Sequence, residues 1–186
     1  MALEVFALRD LSAGEEITFA YLDNNLDAKR EKRQAHLKEH WNFECKCALC
    51  TATGDALALS EDRRELIASA KARLRQRIDN PKYVYRAATQ LVQLYEEEGL
   101  VAPRATANEI AAYAAAMIGE ENETRRFANS AKRYWRILSG RDSPEVQRMD
   151  ELRRDPTGHP SWKAQINVGN GPEGVQNPEA SGKVES

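Results

Sequence analysis

All three cysteines of the chain lie in one short run, Cys45-Lys46-Cys47-Ala48-Leu49-Cys50, and this run constrains the fold more than any other feature. Thiols separated by one or two residues cannot readily reach disulfide geometry with one another. An odd, clustered set also does not make the paired framework of a small secreted domain. A tight turn can aim all three sulfurs at a single tetrahedral ion, so metal binding at Cys45, Cys47 and Cys50 is the expected role. Such a knuckle needs flanking elements to hold the turn, and the patterns on either side say what these are.

On the amino-terminal side, Glu4 to Leu11 alternates loosely and is rich in strand formers. Ser12-Ala13-Gly14-Glu15 supplies turn chemistry, and Ile17-Thr18-Phe19-Ala20-Tyr21 resumes the period-two pattern. Two short strands around a turn are expected there. A lone pair of strands is marginal in water, and no later segment reads as sheet, so the hairpin has no partners within these residues. Its open edge would leave the first twenty residues sticky or disordered. From Asp27 to His40 the chain is highly charged, with Lys29, Arg30, Lys32, Arg33 and Lys38 set against Glu31 and Glu39, and Trp41 and Phe43 follow. This predicts a short exposed helix leading into the knuckle.

Beyond Thr51 the period becomes helical. Leu57, Leu59, Leu66, Ile67, Leu74 and Ile78 mark one helix that stops at Asn80-Pro81, and Tyr83, Ala87, Leu91, Leu94 and Tyr95 stripe the next before Gly99. After Pro103, an alanine-rich helix is expected over Glu109 to Ile118, broken by Gly119-Glu120-Glu121-Asn122. A further one carries Phe127, Ala131, Tyr134, Trp135 and Leu138. Alanines facing aromatics on antiparallel helices suit the close packing of tetratricopeptide-like hairpins, with Tyr83, Tyr113, Tyr134 and Trp135 as core. After Asp155-Pro156 the composition turns to Gly, Pro, Asn, Ser and Glu, and a disordered tail is expected, with Trp162 the one residue able to dock. The fold class expected is α+β, mostly α. Its parts are strands in 1–24, a linker helix and cysteine knuckle in 25–52, helices in 53–156 and a tail in 157–186.

Composition narrows the partners. A net charge of -2 and an aromatic share of 7% give neither a bulk pull toward nucleic acid or membrane nor a stacking surface. The first ten residues have no basic n-region and no long apolar run, so neither secretory signal nor membrane span is expected and the protein reads as intracellular. A zinc-knuckle nucleic-acid binder using Lys29 to Lys38 is disfavoured because the rest of the chain is not basic, and salt-sensitive binding would revive it.

Three segments in fixed order carry a resemblance. They are Arg9-Asp10-Leu11-Ser12-Ala13-Gly14-Glu15-Glu16-Ile17-Thr18-Phe19-Ala20-Tyr21, the charged helix, and Phe43-Glu44-Cys45-Lys46-Cys47-Ala48-Leu49-Cys50. Together they resemble the end of a SET domain and its post-SET knuckle in the protein-lysine methyltransferases. Tyr21-Leu22-Asp23 and the long charged spacer are most similar to the SET-and-MYND branch, in its fungal form. The helical remainder fits a carboxy-terminal domain similar to tetratricopeptide repeats, and Gly140-Arg141-Asp142-Ser143-Pro144-Glu145 looks like the stretch that closes it.

The resemblance implies roles. Tyr21 matches the tyrosine lining the lysine channel, where a phenol offers a directional hydroxyl in an apolar slot. Phe43 matches an aromatic near the adenine of S-adenosylmethionine, and Cys45, Cys47 and Cys50 match three ligands of a structural Zn2+. The family's fourth cysteine comes from an Asn-His-x-Cys segment that also grips the methyl donor with a glycine-containing strand, and these 186 residues contain neither. His40, His36 or a carboxylate is the available substitute ligand. The resemblance therefore implies a carboxy-terminal fragment of a protein-lysine N-methyltransferase, inactive alone because the methyl donor is not oriented. Its substrate would be a protein lysine side chain and its location the nucleus, the cytoplasm or both. The alternative is a helical-repeat interaction module that binds a partner peptide and carries the knuckle as a cap.

Overall fold

The computed structural model describes residues 7–18, 21–22 and 27–164, and these are mostly helical. Seven helices follow in order: α1 Arg30–Trp41, α2 Ala48–Thr51, α3 Gly54–Gln76, α4 Pro81–Glu97, α5 Ala102–Ile118, α6 Glu121–Ser139 and α7 Pro144–Arg154.

The expected strands are not found among the described residues. Glu4 to Phe6, and Phe19 and Ala20, lie outside them, and residues 7–18 form a bend and a turn with no ladder. The turn expected at Ser12-Ala13-Gly14-Glu15 is there: Gly14 takes φ +84° and the Glu15 N–H donates to the Ser12 carbonyl at 3.1 Å. A turn is closed by local bonds, but a strand needs a neighbour to take its N–H and C=O groups. The α+β expectation is thus corrected to mostly α for the described chain.

From α3 to α7 each helix packs on the next, and the short connections make neighbours antiparallel. The breaks follow cap chemistry. Asn80 accepts the Tyr83 N–H at 3.2 Å with Pro81 in the first turn, and Ser143 accepts the Val146 N–H at 3.4 Å ahead of Pro144. Gly119, at φ +86°, closes α5 with the Glu120 N–H on the Ala115 carbonyl at 2.9 Å. α5 begins at Ala102, earlier than the Glu109 its apolar pattern indicated, because Pro103 in the first turn forfeits an N–H that has no helical acceptor there.

The alanines explain the packing. Ala105, Ala107, Ala111, Ala112, Ala114, Ala115 and Ala116 are all buried, so α5 is enclosed between α4 and α6. Short side chains let the three backbones approach, and bulk comes from neighbours: Phe127 on α6 and Met149 and Leu152 on α7 fill one core. A second core gathers Ile67 and Ala70 of α3 with Leu91, Leu94 and Tyr95 of α4, Leu100 and Ala107. Tyr113 and Trp135 pack against the first core as expected of core aromatics, whereas Tyr134 lies under the Arg104 guanidinium.

The chain leaves this unit later than its composition change implies. Residues 157–164 form turns in which Trp162 packs on the first core and the Lys163 N–H donates to the Ala116 carbonyl at 3.0 Å. The tail residues from 165 onward lie outside the described residues.

Candidate metal centre

α1 is the helix that positions the knuckle. It ends at Trp41, and Asn42 takes the left-handed conformation, φ 55°, with its N–H on the Lys38 carbonyl at 3.1 Å. Asparagine tolerates that region better than most residues, so the chain reverses here and runs back beside α1. Gln34 then clamps it from both sides. Its Nε2 donates to the Cys45 carbonyl at 2.8 Å and its Oε1 accepts the Cys45 N–H at 3.0 Å.

Cys47 sits at the amino end of the single turn α2, where its carbonyl accepts the N–H groups of Cys50 at 2.9 Å and Thr51 at 3.0 Å. Residues three apart share one side of a helical turn, which sets Cys47 and Cys50 together. The clamp at Cys45 supplies the third sulfur. All three Sγ atoms lie within 4.8 Å of one another. Thiolates at about 2.3 Å from a tetrahedral zinc stand roughly 3.8 Å apart, so the arrangement needs only a small contraction to close on an ion.

The sulfurs differ in setting: Cys45 is half-buried, Cys47 exposed and Cys50 buried. Burial pushes the Cys50 thiol up to about 11, against the pull of the Arg33 guanidinium, whose Nη2 donates toward Cys50 Sγ at 3.9 Å. At Cys47 burial also opposes ionisation, but the Cys50 backbone N–H and the two neighbouring thiols overcome it, and the pKa falls below the usual thiol value. A soft, sulfur-only donor set suits zinc.

No histidine or carboxylate among the described residues joins the three sulfurs. His36 and His40, expected as substitutes, stack their rings at 4.2 Å, and His40 Nδ1 lies 3.1 Å from the His36 carbonyl oxygen. The exposed Cys47 and a recess of about 480 Å³ lined by Gln34, Lys38, Glu44 and Cys50 leave the cluster approachable from solvent.

Tyr21 and Phe43 are brought together beside the knuckle, their rings edge-on with centroids 5.3 Å apart. Sequence reasoning gave no role to Trp41, which meets Tyr21 edge-on at 5.1 Å and makes the pair a cluster of three. Its signal was an aromatic at the last position of the charged helix. Gln34, Arg33 and Arg64 carried no signal, because polar residues on charged helices usually face water.

No protein-family model matches the chain, and no solved structure matches it. Among curated proteins it is similar to lysine methyltransferases. It is 27% identical over 158 residues to the histone-lysine N-methyltransferase set5 of Schizosaccharomyces pombe, covering 83% of this chain and 49% of that protein. It is 38% identical over 64 residues to the protein-lysine N-trimethyltransferase SMYD5 of Gallus gallus, covering 34% of this chain and 15% of that one. It is 39% identical over 59 residues to the histone-lysine N-methyltransferase SMYD3 of Mus musculus, covering 31% of this chain and 13% of that one. The chain thus spans about half the length of the first relative and less of the others. No helix among the described residues is long and apolar enough to cross a membrane.

Proposed function

We propose that these residues form the carboxy-terminal part of a SET-type protein-lysine methyltransferase of the SET-and-MYND kind, supplying one wall of its active site, its post-SET zinc knuckle and its helical domain. The observation that carries this reading is the convergence of three cysteine sulfurs within 4.8 Å beside the Tyr21–Phe43 ring contact, in a chain similar to lysine methyltransferases. Residues 7–22 would pair as strands once further strands of the catalytic domain lie beside them.

In this reading Cys45, Cys47 and Cys50 hold a structural Zn2+ with a fourth ligand from outside these residues. In a complete enzyme S-adenosylmethionine, held mainly by residues outside these, would supply the methyl group for a lysine amine. Phe43 would pack against the donor and help exclude water, while Tyr21, held edge-on by Trp41 and Phe43, would line the channel and orient the amine with its hydroxyl. The substrate is a lysine on a protein, in the nucleus or cytoplasm. These residues alone lack the Asn-His-x-Cys segment, so they should not bind the donor or transfer methyl.

The test compares the 186-residue chain with a chimera joining it to the amino-terminal half of the set5 relative. Cofactor binding is followed by calorimetry, and labelled methyl incorporation into a mixed protein substrate by counting. The chain alone should do neither, and the chimera should do both and lose transfer on Tyr21→Ala. Transfer by the chain alone would sink the incomplete-site reading, and a fully active Tyr21→Ala chimera would remove Tyr21 from the channel.

A further inference from the structure

Arg33 and Arg64 are the two largest fully buried side chains of the described chain, at 2% and 1% exposure. They come from different elements, α1 and α3, and both donate to the Ala28 carbonyl oxygen, Arg33 at 2.5 Å and Arg64 at 3.1 Å. Arg64 has its counter-charge. Its Nη2 lies 2.9 Å from Glu98 Oε2, at the carboxyl end of α4. Glu98 is nearly as buried and already serves a second cation, Arg63 Nε at 2.6 Å, and the Ser60 hydroxyl at 2.8 Å. Among the described residues no carboxylate pairs with Arg33. Asp27 is committed to Lys71 at 2.8 Å and Glu65 to Lys29 at 2.9 Å. Among the described residues, apart from the Ala28 carbonyl, the polar side chain that Arg33 meets is that of Cys50, its Sγ at 3.9 Å.

A guanidinium does not shed its proton in a protein, so Arg33 is a buried cation without a negative neighbour among the described residues. Burying an uncompensated charge costs several kcal/mol. A neutral Cys50 thiol is a poor remedy. Three thiolates around one divalent ion leave a net negative charge, and a fourth thiolate would add another, set directly beside Arg33. The metal-loaded knuckle would supply the counter-charge that Arg33 lacks among the described residues.

We propose that Arg33 couples metal loading of the knuckle to docking of α1 on the helical array, as a positioning residue whose guanidinium joins the Cys50 sulfur to the Ala28 carbonyl shared with Arg64. This rests on the metal reading above. Metal binding then strengthens the seat of α1 on α3, and a well-seated α1 raises metal affinity by the same factor, as linkage requires. The knuckle and the helical array become one cooperative unit only when the metal is present.

The experiment uses the full chain with Arg33→Met, Arg33→Lys and, as a charge-loss control on the same helix, Lys32→Met. Zinc affinity is measured by competition with a chromophoric chelator, and thermal unfolding is followed by circular dichroism with zinc and with excess chelator. Loss of a partner that supports metal ligands typically weakens binding about 10- to 100-fold, and Arg33→Met should fall in that range, with Arg33→Lys between it and wild type and Lys32→Met unchanged. Without metal, Arg33→Met should melt no lower than wild type, because it removes a buried unpaired charge. With zinc, the rise in midpoint should be clearly smaller than in wild type. Equal affinity and equal metal-induced rise in wild type and Arg33→Met would overturn the coupling and leave the metal reading standing. A wild-type chain that binds no zinc would overturn both.

Discussion

The primary amide of Gln34 does for Cys45 what a neighbouring strand would do, offering one donor and one acceptor to a single residue's backbone at 2.8 and 3.0 Å. Backbone groups in a knuckle have no ladder to join, so a side chain of this shape can fix the turn without a sheet. A different kind of dependence on one side chain occurs at Phe127, 2% exposed among Ala88, Ala112, Ala128 and Ala131. Alanines are fixed to their backbones and cannot swing in to fill a gap. Phe127→Ala should therefore cost about 3–5 kcal/mol, toward the upper end because the site cannot collapse. Urea unfolding checks it, and a loss below about 1 kcal/mol would mean that the helices close up around the void. Both residues bear on what a sequence discloses. The convergence of Cys45, Cys47 and Cys50 was legible because their one- and two-residue spacing sets them in one turn. Phe127 was legible through helical period, but Gln34 and Arg33 were not, since their burial is decided by the return of a chain segment that no local pattern records.

At the level of elements, α3 to α6 were readable because their breaks carry their own chemistry, as at Asn80-Pro81 and Gly119, whereas α7, which starts after Ser143, falls where a closing stretch was expected. The strands were read from an equally local pattern and are not found among the described residues; a strand, unlike a turn, needs a neighbour that no local pattern specifies. The seam between α6 and α7 depends on ion pairs that period does not reveal. Asp150 on α7 lies 2.6 Å from Lys132 Nζ on α6, 3.0 Å from Arg153 and 2.5 Å from Arg154. Its hydrogen bonds with Lys132 and Arg153 hold its pKa at about 2, below the usual carboxylate value. A depressed folded pKa means that the ionised form is bound more tightly in the folded state. Its contribution is then complete above the unfolded value of about 4 and fades as pH falls toward 2. Asp150→Asn should destabilise the chain at neutral pH, and the gap between variant and wild type should shrink between about pH 4 and pH 2. Denaturant midpoints at several pH values measure it, and a gap that stays constant into acid would assign the loss to packing rather than to charge.

For the molecule as a whole, the two apolar cores draw on α3 to α7, Leu100 and the Trp162 turn, and neither includes a residue of α1 or the knuckle. Among the described residues the amino-terminal part is tied to the array by polar contacts: Lys71 with Asp27 at 2.8 Å, Lys29 with Glu65 at 2.9 Å, the Arg30 N–H on Glu61 at 2.7 Å and Arg64 on the Ala28 carbonyl at 3.1 Å. Apolar burial supplies most of a domain's stability, while polar ties mainly fix geometry and partners. The helical array should therefore stand without the part that precedes it. A fragment of residues 53–164 keeps both cores and the Arg64–Glu98 pair, and it should unfold cooperatively with helical circular dichroism and a midpoint independent of zinc. The full chain's midpoint should rise with zinc. Cooperative, zinc-indifferent unfolding would also suit an interaction module that carries its knuckle as a separate cap, and the chimera's methyl transfer decides between that use and an enzyme's carboxy-terminal domain. A molten fragment would mean that the polar seam at α1 is part of what folds the array, which would reverse that order of dependence.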